Sequence, residues 1–227
     1  MGDWQRRGKY LMASLNPHGG VWGVHLRMTG QFQWHEQPTD PCRHTRVRLW
    51  NAADQELRFV DVRSFGEMWW VPPDQAVEDV ISGLTRLGPE PFSPEFSAAY
   101  LKHKLKGSSR PIKTALLDQA LVAGAGNIYA DECLFASGIA PFTPAGQLKL
   151  DQLEKLRVAL VNVLTISIGA GGTTFSDFRD LEGVNGNYGG QAWVYRRGGE
   201  PCRSCGTPIS REKLSGRSTH WCPQCQG

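Results

Sequence analysis

No stretch of the 227-residue chain approaches the roughly 18–20 consecutive apolar residues of a membrane helix, and the longest candidate is broken by Asn162, Thr165 and Ser167. The opening MGDWQRRGKY lacks the apolar core of a secretory signal. Charge of one sign is scarce, with 25 Lys+Arg against 22 Asp+Glu and a net charge of +3, so net charge alone selects no partner. There is no internal repeat and no low-complexity tract. These absences predict a soluble, cytosolic protein. Aromatic residues are not lacking: 8 Trp, 9 Phe and 5 Tyr within a 40% hydrophobic composition exclude long disorder. The length allows one large domain or two of roughly 100 residues.

The distribution of charge is more informative than its sum. Arg6, Arg7 and Lys9 open the chain, Lys102, Lys104, Lys106, Arg110 and Lys113 form a run free of acidic residues, and Arg196, Arg197, Arg203, Arg211, Lys213 and Arg217 crowd the C-terminus. Like charges repel, so three such runs point to a polyanion partner. Four of the six cysteines fall as Cys202-x2-Cys205 and Cys222-x2-Cys225, sixteen residues apart. That is the spacing of a four-thiolate zinc site on two turns joined by a hairpin. Two disulfides would be the alternative, but a cytosolic setting keeps thiols reduced. All four positions go to protein sulfur, so one structural Zn2+ is expected. Cys42 and Cys133 have no such spacing and are expected to be ordinary small apolar residues.

Short apolar runs at Tyr10–Leu15, Val21–Met28, Thr45–Trp50, Leu57–Val62 and Met68–Val71 alternate with turn clusters and predict an antiparallel meander or sandwich. The Leu87-Gly-Pro-Glu-Pro91 stretch reads as a linker. Helical periodicity follows over 94–105, capped at Ser93, then over 111–122, 127–137 and 148–169, with a core stripe of Leu150, Leu153, Leu156, Leu160, Val161 and Leu164. A Gly-rich segment at 180–191 is either a flexible linker or a lid. The expected fold is therefore α+β, an N-terminal antiparallel β-sandwich, a helical domain and a four-cysteine zinc hairpin, with modules at 1–88, 89–191 and 192–227.

Between Leu116-Leu117-Asp118-Gln119 and Asn127, the sequence Gly124-Ala-Gly126 turns the chain into a new helix whose free amides suit a phosphate. Gly-x-Gly-Asn is weak alone. Together with Gln5-Arg-Arg-Gly-Lys9-Tyr-Leu, His25-Leu-Arg-Met28-Thr-Gly30, Asp61-Val-Arg63-Ser-Phe65-Gly66 and Arg217-Ser-Thr-His-Trp-Cys222-Pro-Gln-Cys225-Gln226, it resembles, in order along the chain, the formamidopyrimidine-DNA glycosylase family. The resemblance implies a helix–two-turn–helix motif over Lys113 to Glu132. It also implies a base-excision repair activity, removal of oxidised purines such as 8-oxoguanine and formamidopyrimidines from duplex DNA followed by AP-lyase β,δ-elimination.

The resemblance carries roles to single residues. Lys9 would donate a proton in β-elimination and Arg217 would hold a phosphate and assist δ-elimination. His44 and Arg63 would hold the backbone around the lesion. Met28, Arg63 and Phe65 would fill the gap left by an everted nucleotide. Lys113, Asn127 and Arg110 would bind phosphates. The expected partner is duplex DNA with oxidised or abasic sites, bound by a monomer that associates with the nucleoid of a bacterial-type cytoplasm. The family opens Met-Pro-Glu-Leu-Pro-Glu, with the proline amine as nucleophile and the glutamate as its acid–base partner. Here Met1-Gly2-Asp3 stands directly before the lysine strand, so the resemblance implies that roughly fifty residues of the pattern are absent. Either the start is misplaced and the protein is longer, which the intact downstream motifs favour, or the chain is a truncated paralogue. As it stands it is expected to be poorly stable and nearly inactive as a glycosylase. A non-catalytic damaged-DNA-binding paralogue is the alternative function.

Overall fold

The computed structural model describes residues 2–15, 18–173, 180–181 and 184–227. It divides into two compact units, Met1–Thr85 with Ser167–Gly190, and Arg86–Ile166 with Gln191–Gly227.

The first unit contains two antiparallel sheets. Strands β1 (Trp4–Arg7), β2 (Tyr10–Leu15), β3 (Gly20–His25), β4 (Gly30–His35), β5 (Thr45–Trp50), β6 (Glu56–Asp61) and β7 (Glu67–Val71) pair in the orders β1-β2-β3-β7 and β4-β6-β5. Period-two alternation sets the inner face: Phe32 of β4 lies beside Phe59 of β6 and meets Trp22 of β3 at 5.7 Å between ring centroids. The opposite face of the three-stranded sheet buries charge. Glu56, 0% exposed, accepts from Arg48 at 2.5 Å and from Arg58 at 2.7 Å, and Arg58 reaches on to the Thr39 carbonyl. A short helix, α1 (Val77–Val80), closes the unit's main run.

In the second unit α2 (Ala98–Leu105) begins at Ser97, whose Oγ accepts from the Tyr100 amide at 3.1 Å. The cap is therefore four residues later than expected, because 91–96 is a run of turns and Ser93 precedes no helical backbone. Helix α3 (Ile112–Leu116) is also shorter than the expected 111–122. Beyond it Asp118 Oδ1 takes the Ala120 amide, and Gln119 bridges the Gly124 amide and the Ala125 carbonyl, side-chain bonds that compete with helix continuation. Gly124 has φ +84°, a left-handed turn, and α4 (Asn127–Ala136) then starts as expected.

Helix α5 (Leu150–Gly169) buries Leu153, Leu156, Ala159, Leu160, Val163 and Ser167, so its inner stripe is shifted from the expected one: Leu150 faces outward, and Val161 and Leu164 are half-buried. A last short helix, α6 (Tyr188–Gln191), precedes the hairpin of β8 (Ser210–Leu214) and β9 (Arg217–Trp221). Part of the expected 180–191 lid lies outside the described residues. Among the described residues no helix is long and apolar enough to cross a membrane.

Candidate nucleic-acid interface and metal centre

The metal centre is built by the C-terminal hairpin. Ser215 (φ +49°) and Gly216 (φ +78°) form a two-residue turn whose twist matches its strands. This folds the chain so that the Sγ atoms of Cys202, Cys205, Cys222 and Cys225 lie within 4.8 Å of one another. Four thiols this close cannot all ionise unaided. Bonds from Thr207 pull Cys205 down to about 6, while sharing hydrogen with Cys205 lifts Cys225 to about 12. A zinc ion at their centre removes the conflict, and the all-sulfur set leaves no open position for a catalytic water. Val194, Ile209, Cys202 and Cys222 form a small core here, against which Phe135 packs. Of the remaining cysteines, Cys133 is buried as expected. Cys42 is exposed in a turn, its Sγ 3.5 Å from Thr45 Oγ1, which corrects its reading as a packed apolar residue.

In the first unit the structure brings the three expected wedge residues together. Met28 and Phe65 are 66% and 52% exposed, and Arg63 lies between them, Nη1 3.2 Å from Met28 Sδ and its guanidinium 4.8 Å from the Phe65 ring centroid. Two loops present them. In 26–29 Arg27 is left-handed (φ +56°) and its amide donates to His25 Nδ1 at 3.0 Å. In 62–66 buried Asp61 takes the amides of Arg63 (3.2 Å) and Gly66 (2.7 Å) and the Thr29 hydroxyl, tying the loops to each other. Burial works against the Asp61 carboxylate, but these donors hold it below the usual carboxylate range. Gly66 must be glycine in this geometry: a Cβ would stand 2.5 Å from the Phe59 ring.

Lys9 is exposed at the tip of the β1–β2 hairpin, between Gly8 (φ +57°) and the Arg7–Tyr10 pair, a turn residue and not a strand residue. Its charge reaches buried His25, which sequence reading did not single out. Burial first, then the charges of Arg27 and Lys9, bring His25 down to about 4, so its ring is neutral near pH 7. His44 accepts from Arg43 Nε at 3.0 Å on a loop whose Thr39 carbonyl Arg58 holds.

In the second unit Arg110 and Asp118 form a half-exposed ion pair at 2.8 Å. Asn127 donates Nδ2 to the Ser218 carbonyl at 3.0 Å. Arg217 is exposed at the start of β9. Lys113 departs from its expected place. It is 1% exposed, with Nζ 2.6 Å from Asp131 Oδ1, 2.7 Å from the Ser218 carbonyl and 2.8 Å from Thr219 Oγ1. Two hydrogen bonds and one ion pair enclose its ammonium, so the partners the structure gives Lys113 are internal ones.

Three family models match in chain order: the formamidopyrimidine-DNA glycosylase N-terminal domain over residues 1–68, its H2TH domain over 87–179, and the zinc finger found in FPG and IleRS over 199–227. The formamidopyrimidine-DNA glycosylase of Parasynechococcus marenigrum (strain WH8102) is 78% identical over 227 residues, covering 100% of this chain and 82% of its own. This chain belongs to the formamidopyrimidine-DNA glycosylase family. Two solved structures agree. The MutM (Fpg) protein of Thermus thermophilus superposes with a TM-score of 0.89 at 42% identity, covering 99% of this chain and 82% of that one. The Lactococcus lactis Fpg in complex with DNA containing an abasic site gives 0.88 at 34% identity, covering 98% and 80%.

Within this formamidopyrimidine-DNA glycosylase fold, α4 buries two adjacent carboxylates, Asp131 and Glu132. Glu132 takes the amides of Trp193 (2.8 Å), Val194 (2.9 Å) and Tyr195 (2.8 Å), where the chain enters the zinc module. Asp131 takes the amide and Nδ1 of His220 on β9, each at 3.0 Å. Neither residue was picked out from sequence. The available signal was an adjacent acidic pair inside an otherwise apolar helix, which burial forbids without partners.

Proposed function

We propose that this chain acts in base-excision repair as a DNA glycosylase with AP-lyase activity, removing oxidised purines from duplex DNA and nicking the strand. Support comes from the family and from one observation above all: Met28, Arg63 and Phe65 form a single protruding cluster, two of them apolar and exposed. An everted nucleotide leaves a gap in the base stack, and apolar side chains with a stacked guanidinium offset the lost stacking. Asp61 keeps both loops rigid, so the wedge is ready before DNA arrives.

The steps assigned to this chain's own residues are eversion, grip and proton transfer. The wedge enters the duplex as the damaged nucleotide leaves it. Arg63, His44, Arg110, Asn127 and Arg217 hold phosphates, contacts that position the strand without reading its sequence. In the β-elimination a proton leaves C2′ and the C3′–O bond breaks with the 3′ phosphate as leaving group, Lys9 standing by the sugar as proton donor. In the second elimination the C5′–O bond breaks and Arg217 steadies the departing 5′ phosphate. Zinc keeps β9 in shape and takes no part in bond making. In this reading modules 1–88, 89–191 and 192–227 supply wedge, phosphate grip and metal-braced arginine. The protein works as a monomer in the cytoplasm, on nucleoid DNA.

The test compares binding to a duplex bearing an abasic-site analogue with binding to the intact duplex. The lesion duplex is expected to bind tighter, and Phe65→Ala to lower that preference about fivefold or more, from a stacking loss of roughly 1–3 kcal/mol. An unchanged preference in Phe65→Ala would refute the wedge.

A further inference from the structure

Lys113 looks like a phosphate ligand in sequence and is a buried cation in the structure, which raises the question of what it holds. Its ammonium meets the Ser218 carbonyl and the Thr219 hydroxyl, both on β9, and Asp131 on α4. Asp131 turns its other oxygen to the backbone amide and ring of His220, the next residue on the same strand. Asn127 at the start of α4 donates to the same Ser218 carbonyl. Three consecutive residues of β9, 218 to 220, are thus bound by three side chains of the helix–two-turn–helix. The residue immediately before them is Arg217, exposed and one step from the Ser215-Gly216 turn.

We infer that Lys113 and Asp131 are positioning residues that clamp β9 onto α4 and thereby aim Arg217 at a DNA phosphate, without touching DNA themselves. The inference rests on the proposed phosphate contact of Arg217. A two-stranded hairpin is marginal by itself, and the small core around the metal lies at the far end of β9 from Arg217. Zinc fixes Cys222 and Cys225. Nothing in the metal site fixes the start of the strand, five residues before Cys222. The bonds to Lys113, Asn127 and Asp131 do, through the Ser218 carbonyl and the His220 amide of the backbone, with the Thr219 hydroxyl and the His220 ring adding side-chain contacts. A buried ion pair is a poor source of net stability but a strict geometric constraint, because a displaced partner leaves a charge unpaired.

The experiment is a double-mutant cycle on the full chain, read as the salt dependence of affinity for a duplex with an abasic-site analogue. Arg217→Ala should lower the slope of log K against log salt by about one, the loss of one phosphate contact. Lys113→Met with Asp131→Asn removes the ion pair without stranding a charge, since an asparagine still accepts from His220. It should give the same loss of slope with zinc content unchanged. Adding Arg217→Ala to it should cost no further slope. If the losses add to about two, Lys113 contacts DNA directly and the clamp is wrong. If the paired variant keeps the parental slope, β9 is placed without the latch and the inference also fails. Should Arg217→Ala itself leave the slope untouched, the phosphate role of Arg217 falls and the positioning claim falls with it, an outcome distinct from additivity. Where the paired variant folds poorly, Thr219→Val, which removes the hydroxyl bond to Lys113 and no proposed DNA contact, is read in the same cycle.

Discussion

A buried carboxylate reports on its partners through its titration. Glu56 is fully enclosed between Arg48 and Arg58, and the hydrogen bond from Arg48, followed by that from Arg58, draws it from 4.5 down to about 2. The folded state therefore holds its proton less readily than the unfolded chain. The resulting stabilisation is complete above pH 4.5 and is lost as the pH falls through 2. Glu56→Gln should remove that acid limb from a plot of stability against pH. At neutral pH it should cost about 3 kcal/mol, because Arg58 is left buried without its counter-charge. Urea unfolding at about pH 7 and about pH 3 measures both, and a variant whose stability loss were the same at the two values would contradict the assignment. His25 works in the same sense at higher pH. Held at about 4 by burial and by Arg27 and Lys9, it takes up protons more readily when unfolded, so stability declines as the pH falls from 6.5 toward 4.

At the scale of the element, the hairpin of β8 and β9 depends on its metal. Two strands and a core of Val194, Ile209 and two cysteines bury too little to stand alone. Chelation is expected to unfold 199–227 while the sheets of the first unit persist, and Cys222→Ser is expected to abolish stoichiometric zinc. Metal analysis with hydrogen exchange before and after a strong chelator checks both. Much at this scale was legible in the sequence. The four-cysteine spacing pointed to the metal site, and β2 and β5 fall where their apolar runs place them. Apolar runs do not reveal β1, because Trp-Gln-Arg-Arg is charged and its pairing with β2 supplies what its own sequence does not; only the family resemblance marks a strand there. In β4, Gly-Gln-Phe-Gln-Trp-His does alternate, but glutamines on the outer face hid it. The short α3 could not be read from periodicity, since the side chains of Asp118 and Gln119 end it. Lys113 shows the limit most plainly: sequence reveals a cation, while its acceptors at 218 and 219 lie more than a hundred residues away.

For the whole molecule the same limit governs DNA affinity. Counting basic residues overstates the footprint, because folding engages many of them internally. Lys102 donates to the Leu148 carbonyl at 2.7 Å, Arg197 pairs with Glu200, Arg48 and Arg58 share Glu56, and Lys113 is enclosed. Arg58 and Lys113, 4% and 1% exposed, are therefore left out of the cations expected to release counterions on binding. Of the residues proposed to grip phosphates, Arg63, Arg110 and Arg217 present guanidinium groups, and Asn127 contributes a hydrogen bond without charge. Three neutralised phosphates give a slope of about −2.7 in log K against log salt, where a fourth from Lys113 would bring it to about −3.6. Equilibrium binding of a lesion duplex across a tenfold range of salt resolves the difference. The shallower slope should also hold on intact duplex, because phosphate contacts are blind to sequence and to the missing base. The preference for the lesion would then stay constant as salt rises, carried by Met28 and Phe65 through stacking and not through charge. A preference that collapsed with salt would place lesion recognition in the phosphate grip instead of the wedge.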